Sequence, residues 1–172
     1  MPDRPNSRWA LWLALSAAVL ALDLASKAWI ASVLDPGEGR DVTAFLRVVL
    51  VYNEGAAFSF LADAGGWQRW LFMGLAVAIC AVLVALLRRQ HANPLVAAAL
   101  ALVLGGALGN LWDRATLGHV VDFLLFHAGR HAFPAFNVAD SAISVGVALL
   151  LWESLWPKSR ADAPAAAPRR SP

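Results

Sequence analysis

The sequence predicts an all-α membrane protein of four transmembrane helices with a small β-rich region on the extracytoplasmic face, and three observations lead there. Apolar residues fill 59% of the 172 positions and charged residues only 15%, with a mean hydropathy of +0.58, far from an average soluble domain or a disordered chain. The apolar residues fall in four blocks, about 9–33, 67–87, 94–111 and 138–156, each close to the roughly 20 residues a helix needs to cross a bilayer. Between them lie two longer connections, 34–66 and 112–137, containing β-branched and aromatic runs broken by glycine. One membrane domain over residues 1–158 is expected, followed by a disordered Pro/Ala-rich tail, 159–172.

The first block follows a short basic segment, MPDRPNSR, and its 25 or so residues would make roughly 37 Å of helix. A cleavable signal peptide has an apolar region of only about 7 to 15 residues, so the block reads as a retained span. Asp23 and Lys27 lie on one face of it, as an intramembrane ion pair would, and structural and functional roles weigh equally. The first connection opens with the turn-like DPGEGR. Residues 42–52 then read as a short strand at the membrane surface, because a span there would bury Arg47. Asn53, Glu54 and Gly55 break the strand. Turn chemistry is the ordinary meaning of Asn near Gly, but the AAFSFL that follows sets an apolar ledge beside polar backbone, which suits an extended peptide or an acyl chain.

The second block is edged by Trp67 and Trp70 on one side and by Arg88, Arg89 and His91 on the other; its Cys80 reads as packing. Pro94 fits the first turn of the third helix, in which Gly105, Gly106 and Gly109 allow close approach of neighbouring helices. In the second connection GHVVDFLLFHAGRH reads as a hairpin. It places His119, His127 and His131 at interfacial positions, and this is a better account of them than a metal site. The basic residues cluster at Arg4 and Arg8, at Arg88 and Arg89, and at Lys158, Arg160, Arg169 and Arg170. By the positive-inside rule both termini are cytoplasmic and both long connections lie outside. The clustering also accounts for the pI of about 9.2 without a nucleic-acid footprint, so no nucleic-acid partner is expected.

Residues 105–140 carry the chemistry. Asp113, Asp122 and Asp140, with Arg114, Asn110 and Asn137, stand where the flanking hydrophobic segments would favour apolar residues, and ionisable groups beside hydrocarbon are functional candidates. The polar outer segments offer no Ser paired with His, no Cys and no HExxH. A carboxylate pair is what is left. Two aspartates sharing one proton can hydrolyse an amide, one activating water while the other donates a proton. For Asp140 the competing reading is a helix cap, since Asn137 and Asp140 open an apolar helix with capping-box spacing; from local sequence alone capping is the better account.

Five motifs carry a resemblance: DLASK at Asp23 to Lys27, NEGAAFS at Asn53 to Ser59, GNLWDR ending in Arg114, GHVVDF around Asp122, and FNVAD at Phe136 to Asp140. In this order and at this spacing they resemble lipoprotein signal peptidase (signal peptidase II), an intramembrane aspartic peptidase family of the bacterial cytoplasmic (inner) membrane. The resemblance covers most of the chain. It implies a diacylglyceryl-modified prolipoprotein substrate, cleaved just before its lipidated cysteine, with Asp122 and Asp140 as the catalytic pair. Asn53, Asn110, Arg114 and Asn137 would hold substrate or orient the pair, and Asp23, Lys27 and Gly55 would support it. No cofactor or metal is implied; the partners are membrane lipids and substrate, and a monomer is expected. Two other function classes compete. A small proton- or ion-coupled carrier would use Asp23, Asp113, Asp122 and Asp140 as relay carboxylates with Arg114 as counter-ion, but the key carboxylates cluster toward one edge and no paired broken helices are visible. A non-catalytic scaffold would leave the aspartates and asparagines without a purpose.

Overall fold

Long apolar runs without internal proline become helices, and the two connections supply a sheet. A computed structural model describes residues 7–54 and 67–155 in the order α1 (Ser7–Val33), β1 (Gly39–Asp41), β2 (Leu46–Asn53), α2 (Trp67–Gln90), α3 (Pro94–Thr116), β3 (Val120–Ala128), β4 (His131–Ala132) and α4 (Val138–Leu155). All four helices are long and apolar enough to cross a membrane. Gly55, the apolar ledge at 56–61 and the expected tail at 159–172 lie outside the described residues.

α3 is the central helix, with α1, α2 and α4 packed along it. Its glycines and alanines explain how. A Cβ on Gly105 would meet the Ser16 carbonyl oxygen and Val19 Cβ of α1, both at 2.7 Å, and one on Gly106 would collide with the Ala139 carbonyl oxygen of α4. In return, a Cβ on Gly146 of α4 would stand 2.7 Å from the Ala99 carbonyl oxygen of α3. Lipid offers no hydrophobic drive to association, so such close backbone approach supplies the van der Waals contact that holds the bundle. Ser16 Oγ adds a buried bond to the Ala101 carbonyl oxygen at 2.9 Å. At the other end of α3, Asn93 caps the helix by accepting from the Leu95 and Val96 backbone amides, Pro94 follows as expected, and Asn93 Nδ2 donates to Glu153 of α4 at 2.8 Å. α2 and α4 both lie on α3 but meet each other at most marginally.

Two boundaries differ from the sequence expectation. α3 does not stop at 111 but continues to Thr116, carrying Asp113 and Arg114 on helix and not in a connection. Nothing between Leu111 and Thr116 breaks a helix; the chain turns at Gly118, whose φ of +88° suits glycine and whose amide bonds back to the Asp113 carbonyl oxygen. The strand expected over 42–52 starts later, as β2 at Leu46, and a short strand not expected from the sequence, β1, precedes it at Gly39–Asp41. Thr43 Oγ1 accepts from the Phe45 and Leu46 amides, folding a turn between β1 and β2.

The sheet is antiparallel in the order β1-β2-β3-β4, and β3 with β4 forms the hairpin expected within 118–131. β2 pairs β3 from Leu46↔Phe126 to Asn53↔Val120, with an irregularity between Val48 and Val51. One face of the sheet is anchored on α1: Leu50, Val121 and Phe123 bury against Ile30 and Leu34. Arg88 lies over the Trp9 ring at 5.1 Å, so the α2–α3 turn and the start of α1 share one end of the bundle while the sheet crowns the other.

Candidate active site

At the sheet end of the bundle, α1, α3, α4 and β3 converge, and each contributes polar side chains from within an apolar run. Asp23 and Lys27 of α1 make the ion pair expected from their spacing, Nζ to Oδ2 at 2.7 Å. Lys27 Nζ also reaches Asp113 Oδ2 of α3 at 2.9 Å and donates to Asn110 Oδ1 at 3.1 Å. Three oxygens thus surround an ammonium only 3% exposed, two of them carboxylate oxygens that offset its buried charge. Asp23 Oδ1 accepts from the Ala139 amide of α4 at 2.8 Å, and Asp113 Oδ2 accepts from the Val121 amide of β3 at 3.1 Å. One cation therefore ties four elements together.

Asp122 and Asp140 lie directly above this clamp. Asp122, on β3 and 2% exposed, accepts from Asn137 Nδ2 at 2.7 Å and from Asn53 Nδ2 at 3.0 Å, one bond on each oxygen. Asp140, half-buried in the first turn of α4, accepts from Asn110 Nδ2 at 2.8 Å and from the Asn137 backbone amide at 3.3 Å. Asn137 Oδ1 in turn accepts from the Asp140 amide at 2.9 Å, so the capping box forms as its spacing suggested. Capping and the aspartate cluster are not alternatives here, because the same two residues do both. Asn137, fully buried, touches both carboxylates through different groups.

Burial pushes the Asp122 carboxyl up to about 6. The Asn53 hydrogen bond opposes that rise, the neighbouring charge of Asp140 adds to it, and the Asn137 bond and the Lys27 charge pull it back. A carboxyl near 6 beside a second carboxylate at a helix N-terminus, where negative charge is favoured, is an acid–base arrangement. Arg114 lies over the Phe72 ring of α2 at 5.7 Å, donates to the Asn110 carbonyl oxygen at 3.3 Å, and is within electrostatic reach of Asp140, Asp122 and Asp113. It thus borders the aspartates from the side of α2.

Of the residues singled out from the sequence, Asp23, Lys27, Asn53, Asn110, Asp122, Asn137 and Asp140 are brought into one hydrogen-bonded cluster, and Arg114 borders it. Gly55 falls outside the described residues. His119 lies against Tyr52 at 4.2 Å between ring centroids, and His127 and His131 sit on the hairpin strands. Among the described residues no group of three His, Cys, Asp or Glu is placed to hold a metal ion. Asp113 is the residue sequence reasoning placed poorly. Extending the helical period past Leu111 would have set Asn110, Asp113 and Arg114 on one face, at i, i+3 and i+4.

Comparison with known proteins bears on this cluster. The sequence model of the signal peptidase (SPase) II family matches residues 15–156, an interval that contains every residue of the site. The lipoprotein signal peptidase of Azoarcus sp. (strain BH72) is 52% identical over 159 residues, 92% of this chain and 89% of its own. That of Cupriavidus taiwanensis is 52% identical over 160 residues, 90% of this chain and 91% of its own. Among solved structures, a bacterial membrane enzyme determined by the in meso method at 2.3 Å resolution superposes with a TM-score of 0.79 at 30% identity, covering 90% of this chain and 93% of that one.

Proposed function

Because the chain belongs to the signal peptidase II family, we propose that it is the membrane endopeptidase that removes the signal peptide from diacylglyceryl-modified prolipoproteins, cutting just before the lipidated cysteine with Asp122 and Asp140 as an aspartic pair. The single observation that carries the pair is Asn137, which bonds to both carboxylates and so holds them in one unit. Asp122 is the group suited to keep the proton, since burial raises its carboxyl to about 6. Asp140, in the first turn of α4, is placed to act as the base.

In this reading Asp140 takes a proton from water, whose oxygen attacks the carbonyl carbon before the cysteine. Asp122 gives its proton to the carbonyl oxygen. Collapse of the tetrahedral species breaks the C–N bond, the nitrogen receives a proton from Asp140, and the diol returns one to Asp122. Asn53, Asn110 and Asn137 hold the carboxylates in place. Arg114 offsets their charge from nearby, and Lys27, paired with Asp23, fixes Asn110. Both termini lie in the cytoplasm of a bacterial inner-membrane protein and the site faces outward, in keeping with Arg88 and Arg89 at the opposite end of the bundle from the sheet.

Purified protein in lipid, incubated with a diacylglyceryl-modified precursor beside the same precursor unmodified, tests the reading. The expected result is a new N-terminus at the lipidated cysteine from the modified precursor alone. Cleavage at another bond, or equal cleavage of both precursors, would contradict it.

A further inference from the structure

The β3 strand carries Asp122 on one face, and strand alternation places Leu124 and Phe126 on that same face. Val121 and Phe123 lie in the apolar cluster with Ile30 and Leu34 of α1, against which Leu124 also packs. β3 is bridged to the segment that leads into α4 at Leu124 and Phe136. Along this face runs a connected aromatic surface. Phe126 stacks on Phe136 at 5.6 Å and on Phe45 at 6.5 Å, and Phe133 meets Phe136 edge-on at 6.2 Å. Phe136 immediately precedes Asn137, the residue bonded to both aspartates, whereas Phe45, Phe126 and Phe133 are 59%, 44% and 62% exposed. Single exposed apolar residues need no account, but phenylalanines in mutual contact beside a polar cleft form a surface built to be covered.

We propose that this surface is a subsite for the substrate chain on the far side of the cleaved bond: an extended apolar segment made of the residues that follow the lipidated cysteine. The inference rests on the peptidase reading above. From Asp122 to Phe126 is about 13 Å at roughly 3.3 Å per strand residue, the reach of about four residues of extended peptide. The signal segment on the near side comes from the bilayer, so the chain beyond the bond leaves past the sheet, and the aromatic face is the part of the sheet continuous with the aspartates. Aromatic rings offer apolar side chains broad contact with little lost side-chain freedom, which favours apolar segments without fixing one sequence.

The test uses two diacylglyceryl-modified precursor peptides that differ only in the four residues after the cysteine, Leu/Phe-rich in one and Gly/Ser-rich in the other. They are assayed with the wild type and with the Phe45→Ala/Phe126→Ala double variant. The wild type should show a lower KM for the apolar peptide, by a factor of about three to ten, at similar kcat. The double variant should lose that difference while cleaving the Gly/Ser peptide as the wild type does, which also reports that it is folded. Equal KM for both peptides with the wild type would overturn the subsite alone. Equal weakening of both peptides by the double variant would also overturn it and assign the aromatic face to the lipid surface. A wild type that cleaves neither peptide would overturn the peptidase reading and the subsite together.

Discussion

Asp122 and Asp140 are chemically the same side chain in different surroundings, and the difference can be read in a pH profile. Asp122 is buried on the sheet and raised to about 6, so it holds its proton below that pH and gives it up above. If turnover needs Asp122 protonated, kcat falls about tenfold per pH unit once the pH passes roughly 6. Asn53 bonds to Asp122 Oδ2 and favours the ionised form. Asn53→Ala removes that bond, so the carboxyl should titrate higher and the alkaline limb of kcat should move to higher pH. A limb that stays in place or moves to lower pH would contradict the assignment of Asp122 as the acid.

Among the elements, α3 does most to place the site, and its glycines are the sensitive points. A Cβ on Gly109 would collide with Asp23 Oδ2, the oxygen that holds Lys27. Gly109→Ala should therefore cost about 1–3 kcal/mol, the usual range for overpacking a close contact, and lower activity with it. Gly74 in α2 has open space around its Cβ position, and Gly74→Ala should be neutral or stabilising by about 0.5–1 kcal/mol. Thermal unfolding in one detergent compares the two; equal effects would show that helix propensity and not close approach governs α3. The glycines of this helix were legible in the sequence because small residues in a lipid-facing run have few other uses. Its end was not legible. Asp113 looks like a loop carboxylate until Lys27, 83 residues before Asn110 and on another helix, supplies the buried cation that lets it continue the helix. The same holds for the strand expected from residue 42, where Thr43 Oγ1 holds a turn that composition does not show and the strand begins only at Leu46.

At the scale of the whole molecule, hydropathy and period were enough to give four spans and a small sheet, because a bilayer leaves few alternatives for so apolar a chain. The candidate site was legible only as a set of motifs. Local sequence favoured capping for Asp140, and the contacts that join it to Asp122 come from Asn110 and Asn137 across the bundle, information that lives in tertiary packing alone. What the architecture builds is a buried cation clamp beneath, an aromatic face above, and two aspartates between them held by shared asparagines. The most direct test of that centre is cleavage of a diacylglyceryl-modified precursor by Asp122→Asn, Asp140→Asn and the double variant, with helical content measured on the same samples. Asparagine keeps the shape and is itself a good cap residue, so a structural role alone predicts little loss. The aspartic pair predicts that each single variant stays folded and loses turnover by orders of magnitude, with the double variant hardly worse than either. Near-wild-type cleavage by either well-folded single variant would contradict it.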